Sequence, residues 1–117
     1  MKTKKKFNHI WEDLYKVNVW WFVGSRKQYG DLVRKEFKLV ASDIDDTVRG
    51  RVEYFTVDGQ PLPIIWLPKK DITCLAHEVF HVVHWIMKYK GIYLSDDSNE
   101  AYAYLLEYLM EEIMEKW

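Results

Sequence analysis

The chain has 117 residues, 49% of them apolar and 16% aromatic, which is enough for one compact domain with a real core and too little for a second. Seventeen basic against eighteen acidic residues leave a net charge of −1, which argues against a general nucleic-acid binder. One cysteine, Cys74, excludes an intrachain disulfide, no apolar run approaches the length of a membrane span, and a cytoplasmic protein is the simplest expectation.

In chain order, Lys2, Lys4, Lys5 and Lys6 form a basic segment expected to be a solvated tail over residues 1–6. It runs into Phe7 to Asp13 without an apolar stretch or a small-residue cleavage site, so it does not read as a secretory leader. Phe7, Ile10, Trp11, Leu14 and Tyr15 have helical spacing and predict a short amphipathic helix over 7–16. Val17 to Val23 reads as a buried strand that Gly24 ends. Ser25 with Gln28 three residues on is a capping-box pattern, which starts a helix running to about Phe37. Residues 41–50 form a polar connector whose three aspartates lack the closing glutamate of a calcium loop.

Arg51–Val57 and Leu62–Leu67 are two strand-like runs, and Asp58-Gly59-Gln60 between them signals a hairpin. Pro61 and Pro63 cannot donate to a ladder, so the second strand is expected to have a free edge near its start. Asp71 suits the N-cap of a helix that reaches Lys90 and stops at Gly91. Ser95, Asp96, Asp97 and Ser98 are placed to cap a last helix that extends to near Trp117. The predicted order, α-β-α-β-β-α-α, implies a single α+β domain over residues 1–117, a short sheet packed on helices.

Chemistry concentrates at His77-Glu78-Val79-Phe80-His81. Residues four apart in a helix share one face, so both imidazoles converge on a point that can hold Zn²⁺ at about 2.0–2.1 Å from each nitrogen. Glu78 projects about a quarter-turn from His77, where a carboxylate can take a proton from water activated by the metal. Catalytic zinc sites add a third protein ligand, and Glu100 is the candidate. It follows His81 after eighteen residues, in the first turn of the last helix, once Gly91 has let the chain reverse. On its own Glu100 would read as an ordinary capping-box acid paired with Asp97. His84, two turns from His77, reads as a packed or supporting histidine, Cys74 as a small buried side chain, and Glu107 as an exposed acid. Trp85, Tyr102, Tyr104 and Tyr108 read as a core stripe.

The run from His77 to His81, the interval of eighteen residues and Glu100 within Asn99-Glu100-Ala101-Tyr102-Ala103 resemble the gluzincin clan of zinc metallopeptidases, and its aminopeptidase branch in particular, over residues 71–106. The resemblance implies a small zincin-like fold, with a hairpin packed on the active-site helix and a C-terminal helix carrying the glutamate. It implies one zinc per chain on His77, His81 and Glu100, Glu78 as general base and acid, and a peptide or protein substrate. It also implies a strand within 62–67 that lines the cleft and pairs with an extended peptide. The chain departs from the clan in lacking an exopeptidase motif and in carrying Tyr104 where other gluzincins have an aspartate. No oxyanion-stabilising residue is assigned, with Tyr102, Tyr104 and His84 as candidates. A looser likeness is to phage anti-repressor metallopeptidases, in which a hairpin precedes Leu-Ala-His-Glu. The alternative from another class is a zinc-stabilised, non-catalytic binding or regulatory module of the phage-encoded kind, acting through a protein partner.

Overall fold

The computed structural model describes residues 6–42 and 48–117. Lys2, Lys4 and Lys5 of the basic segment lie outside the described residues, as do Asp43, Asp45 and Asp46 of the connector. The element order is β1 (Asn8–Glu12), β2 (Val17–Val23), α1 (Arg26–Phe37), β3 (Arg51–Val57), β4 (Gln60–Leu67), α2 (Ile72–Tyr89) and α3 (Asn99–Lys116). Four strands form one mixed sheet in the order β1-β2-β4-β3, with β2 and β4 parallel and the other two pairs antiparallel. This is a small α+β domain.

Strand alternation divides the core between the two faces. Val17, Val19, Trp21, Ile65 and Leu67 point towards α2 and α3, while Phe22, Leu62, Ile64 and Trp66 point towards Tyr29, Leu32 and Val33 of α1. On β3, Val52 packs on the α2–α3 side, whereas Phe55 and Val57 pack on the α1 side. The sheet is thus a middle layer, with one helix on one face and a helical pair on the other.

The helix expected over 7–16 is a strand and a turn instead. Ile10 and Glu12 are buried, His9 and Trp11 are exposed, and β1 pairs with β2 from Asn8↔Trp21 to Glu12↔Val17. The 3.6-residue spacing of Phe7, Ile10 and Trp11 is compatible with either form, and pairing against β2 decides it. The turn at 13–16 is held by the Glu12 carboxylate, which accepts the backbone N–H groups of Leu14 and Tyr15, and it closes at Lys16 with φ 58°.

The other elements follow their local signals. Ser25 and Gln28 form the reciprocal capping box, and α1 ends at Lys38 in the left-handed conformation. Asp58 and Gly59 both have positive φ, 52° and 77°, as a two-residue type I′ hairpin requires. Pairing of β4 with β2 begins only at Ile64, so Pro61 and Pro63 sit where β4 has no neighbour on that side.

The Glu53 carboxylate is a buried clasp between layers, 7% exposed, accepting the Tyr29 hydroxyl at 2.8 Å and the Ser42 backbone N–H at 3.0 Å. Burial first, and this bond second, push the Tyr29 hydroxyl well above its ordinary pKa, so it stays a donor. Glu53→Ala strands the buried Tyr29 hydroxyl and is expected to cost about 1–3 kcal/mol, the range for one buried unpaired group. Urea unfolding of the two proteins measures it.

Candidate metal centre

Helix α2 carries the site, and both its ends are locally encoded. The Asp71 side chain caps its start by accepting the Cys74 N–H at 3.2 Å. At its end Gly91 has φ 80°, its N–H reaches the Lys88 carbonyl, and the Ile92 N–H reaches the Met87 carbonyl at 2.8 Å. That pair of bonds is a Schellman motif. Leu75, Val79, Val82, Val83, Ile86 and Met87 bury one stripe against the sheet and α3. The opposite stripe, with His77, His81 and His84, is exposed.

His77 and His81 present their Nε2 atoms 3.2 Å apart, with ring planes at 73°. A tetrahedral ion with about 2.0–2.1 Å bonds sets neighbouring ligand nitrogens about 3.3–3.4 Å apart, so this separation fits a shared cation. Glu78 completes a group whose ligand atoms all lie within 4.8 Å of one another, and among the described residues no other trio of His, Cys, Asp or Glu does this. The group could hold a metal ion. Unlike the two histidines, Glu78 is buried, at 8% exposed. Burial raises its pKa above the ordinary carboxylate value, against the attraction of His77, His81 and Arg51.

The cover over Glu78 includes a residue the motif does not contain. A Cβ on Gly50 would stand 2.8 Å from Leu67 Cδ2 and 3.3 Å from Glu78 Cγ and Oε2. Only a residue without a side chain lets the backbone lie this close to the carboxylate. The same segment is tied to the start of α2 by Arg49 and Asp71, 3.1 Å apart. Gly50→Ala is expected to destabilise by about 1–3 kcal/mol through overpacking, and chemical denaturation measures the loss.

Tyr54 reaches the site from β3. Its hydroxyl donates to the His81 backbone carbonyl at 3.3 Å, and its ring stacks on Trp85 at 4.9 Å. Burial, then the Glu78 charge, push its pKa up to about 12. Neither Gly50 nor Tyr54 carries a sequence signal: the face Tyr54 presents depends on the register of the whole sheet, and the approach of Gly50 to Glu78 depends on how the segment before β3 packs on α2.

The remaining residues named from sequence divide clearly. Glu100 is exposed in the first turn of α3 and is not part of the 4.8 Å group. The start of α3 does lie beside α2, since the Tyr102 and His84 rings are 6.5 Å apart. Ser98 is the N-cap of α3 without making a side-chain cap bond; its hydroxyl donates to the Tyr93 carbonyl instead. His84 is exposed and stacks on Phe80 with planes 5° apart, Cys74 is buried, and Glu107 is exposed. Tyr102 belongs to the core, Trp85 is half-buried, and Tyr104 and Tyr108 are exposed, so the aromatic stripe is only partly core. β4 is paired with β3 along its length and with β2 from Ile64, so the cleft-lining edge expected within 62–67 is not there; the outer strand on that side is β3.

The chain matches no protein-family model, no curated protein and no solved structure. Among the described residues no helix is long and apolar enough to cross a membrane.

Proposed function

We propose that the chain is a zinc-dependent peptidase of minimal, gluzincin-like type, hydrolysing peptide bonds in a peptide or protein substrate. One observation carries this reading: two exposed imidazole Nε2 atoms at a tetrahedral-edge separation, with a buried carboxylate converging on the same point. His77 and His81 would hold the ion, with Glu100 swinging in from the adjacent start of α3 as third ligand. Zinc supplies a Lewis acid that polarises a carbonyl and brings the pKa of water to about 7. Glu78 takes the proton of the attacking water and returns it to the leaving amine. An extended substrate would lie along the outer edge of β3, the strand that flanks α2.

A second reading is favoured by one feature: Glu78 lies within the converging group, and Glu100 does not. If Glu78 itself bound the ion, His77, Glu78 and His81 would make a structural site with no base left over, and the domain would act as a zinc-stabilised binding module.

Elemental analysis of protein purified without added metal separates the two. The peptidase reading expects about one zinc per wild-type chain and a large reduction in Glu100→Ala. Equal zinc in both proteins moves the third ligand to Glu78 and favours the binding module. No zinc in the wild type removes both readings.

A further inference from the structure

We infer that the chain carries a binding site for a small planar aromatic carboxylate, in a cleft at the end of the sheet where β2 and β4 begin. The cleft has a cause in the sequence. Parallel pairing starts only at Trp20↔Ile64. Before that point Pro61 and Pro63 have no N–H to give, so no ladder joins residues 17–19 of β2 to residues 60–63 of β4. The gap holds a cavity of about 450 Å³, within the range of small-molecule sites. Both faces of the sheet contribute to it: Trp20, Phe37 and Leu62 from the α1 side, Tyr89 and Lys90 from the C-terminal end of α2. Tyr89 lies eight residues beyond His81, about 12 Å along the helix, so the cleft stands apart from the candidate metal centre.

The walls select a flat apolar body, because Trp11, Trp20, Phe37 and Tyr89 bring four rings to one cleft. Trp20 is held in place, stacked on His9 at 4.3 Å and edge-on to Phe37 at 5.3 Å. Its indole N–H is buried without a partner, a donor that the protein itself leaves unmet.

Charge decides between an organic cation, which an aromatic cage can also hold, and an anion. Lys16 and Lys90 line the cleft and, among the described residues, no carboxylate does. That rejects a cation and attracts an anion. Lys16 also pairs with Asp13 at 3.0 Å, an exposed and therefore weak bond, and Lys90 lies 5.4 Å from the centre of the Tyr89 ring. Two ammonium groups, one of them shared, match a single negative charge. The end of α2 offers no free acceptors to oppose it, since the Ile86, Met87 and Lys88 carbonyls accept the Lys90, Ile92 and Gly91 N–H groups. Asn18 and Gln60 add amide donors to the lining.

The test titrates 2-naphthoate, and 2-naphthamide as its uncharged counterpart, calorimetrically into the full-length protein. The expected Kd for 2-naphthoate is at or below about 1 mM, ordinary for a ligand of this size, and the amide binds about tenfold more weakly. Each ammonium group contributes about threefold, so in the double variant Lys16→Met, Lys90→Met the two probes are expected to bind alike. Gln60→Trp fills the cleft from its rim and is expected to weaken both probes more than about tenfold. All three positions are exposed, so melting temperatures are expected to hold. Wild type that does not bind 2-naphthoate overturns the site. Binding that is unchanged in both variants places the probe elsewhere and overturns it too. Equal Kd for carboxylate and amide in wild type overturns the ligand class. Binding lost from His81→Ala and kept in Gln60→Trp puts the carboxylate on the metal centre and overturns the cleft as its site.

Discussion

Glu78→Gln is expected to lower peptide hydrolysis by about 10²–10⁴-fold, the range for removing a positioned general base, while zinc stays bound. The two side chains have nearly the same shape, so packing beneath Gly50 is conserved. What changes is proton affinity: an amide cannot accept the proton of water. Burial already disfavours the charged form of Glu78, so the neutral amide imposes no new desolvation cost, and the melting temperature is expected to hold or rise. Three measurements on one preparation decide it: cleavage of a quenched-fluorescent peptide pool, zinc per chain, and thermal melting. Zinc lost along with activity would show that the carboxylate is a ligand, as the binding-module reading has it. Cleavage that survives in Glu78→Gln would remove the residue from the mechanism.

His81→Ala has the opposite signature, losing metal and keeping the fold. The ring is exposed on the solvent stripe of α2, so the metal-free variant is expected to be within about 0.5 kcal/mol of metal-free wild type. Alanine also has the better helix propensity. Zinc affinity is expected to fall by more than about 100-fold, beyond the 10–100-fold typical of residues that only support a ligand. The difference is visible in thermal melts. At zinc one hundred times the wild-type Kd the ion stabilises the native state by about 2.7 kcal/mol, and that gain should vanish from the variant. A variant that still gains stability from zinc would place the ion elsewhere.

The parts of the molecule that were readable in advance are those whose causes are local. Asp71 and Gly91 bracket α2, Ser25 and Gln28 open α1, and Asp58-Gly59 makes the hairpin, each through backbone groups a few residues away. The histidine pair is local in the same sense, because a four-residue spacing on a helix brings two side chains together whatever packs around them. The failures have a common origin in long-range pairing. Residues 8–12 have a spacing that suits a helix, and become a strand because β2 offers a partner. β4 was expected to offer a cleft edge and is instead enclosed by β2 and β3, which no residue within 60–67 announces.

The same division runs through the site. Sequence alone determined that His77 and His81 share a helix face with Glu78 beside them, since helical geometry is a property of neighbours along the chain. Tertiary structure alone decided that Glu78 is buried under Gly50, that Tyr54 faces His81, and that Glu100 stands outside the converging group. Those outcomes depend on sheet register and on how a loop and a second helix pack against α2. They are set by burial of apolar surface across the whole domain, and no short stretch of sequence contains that information.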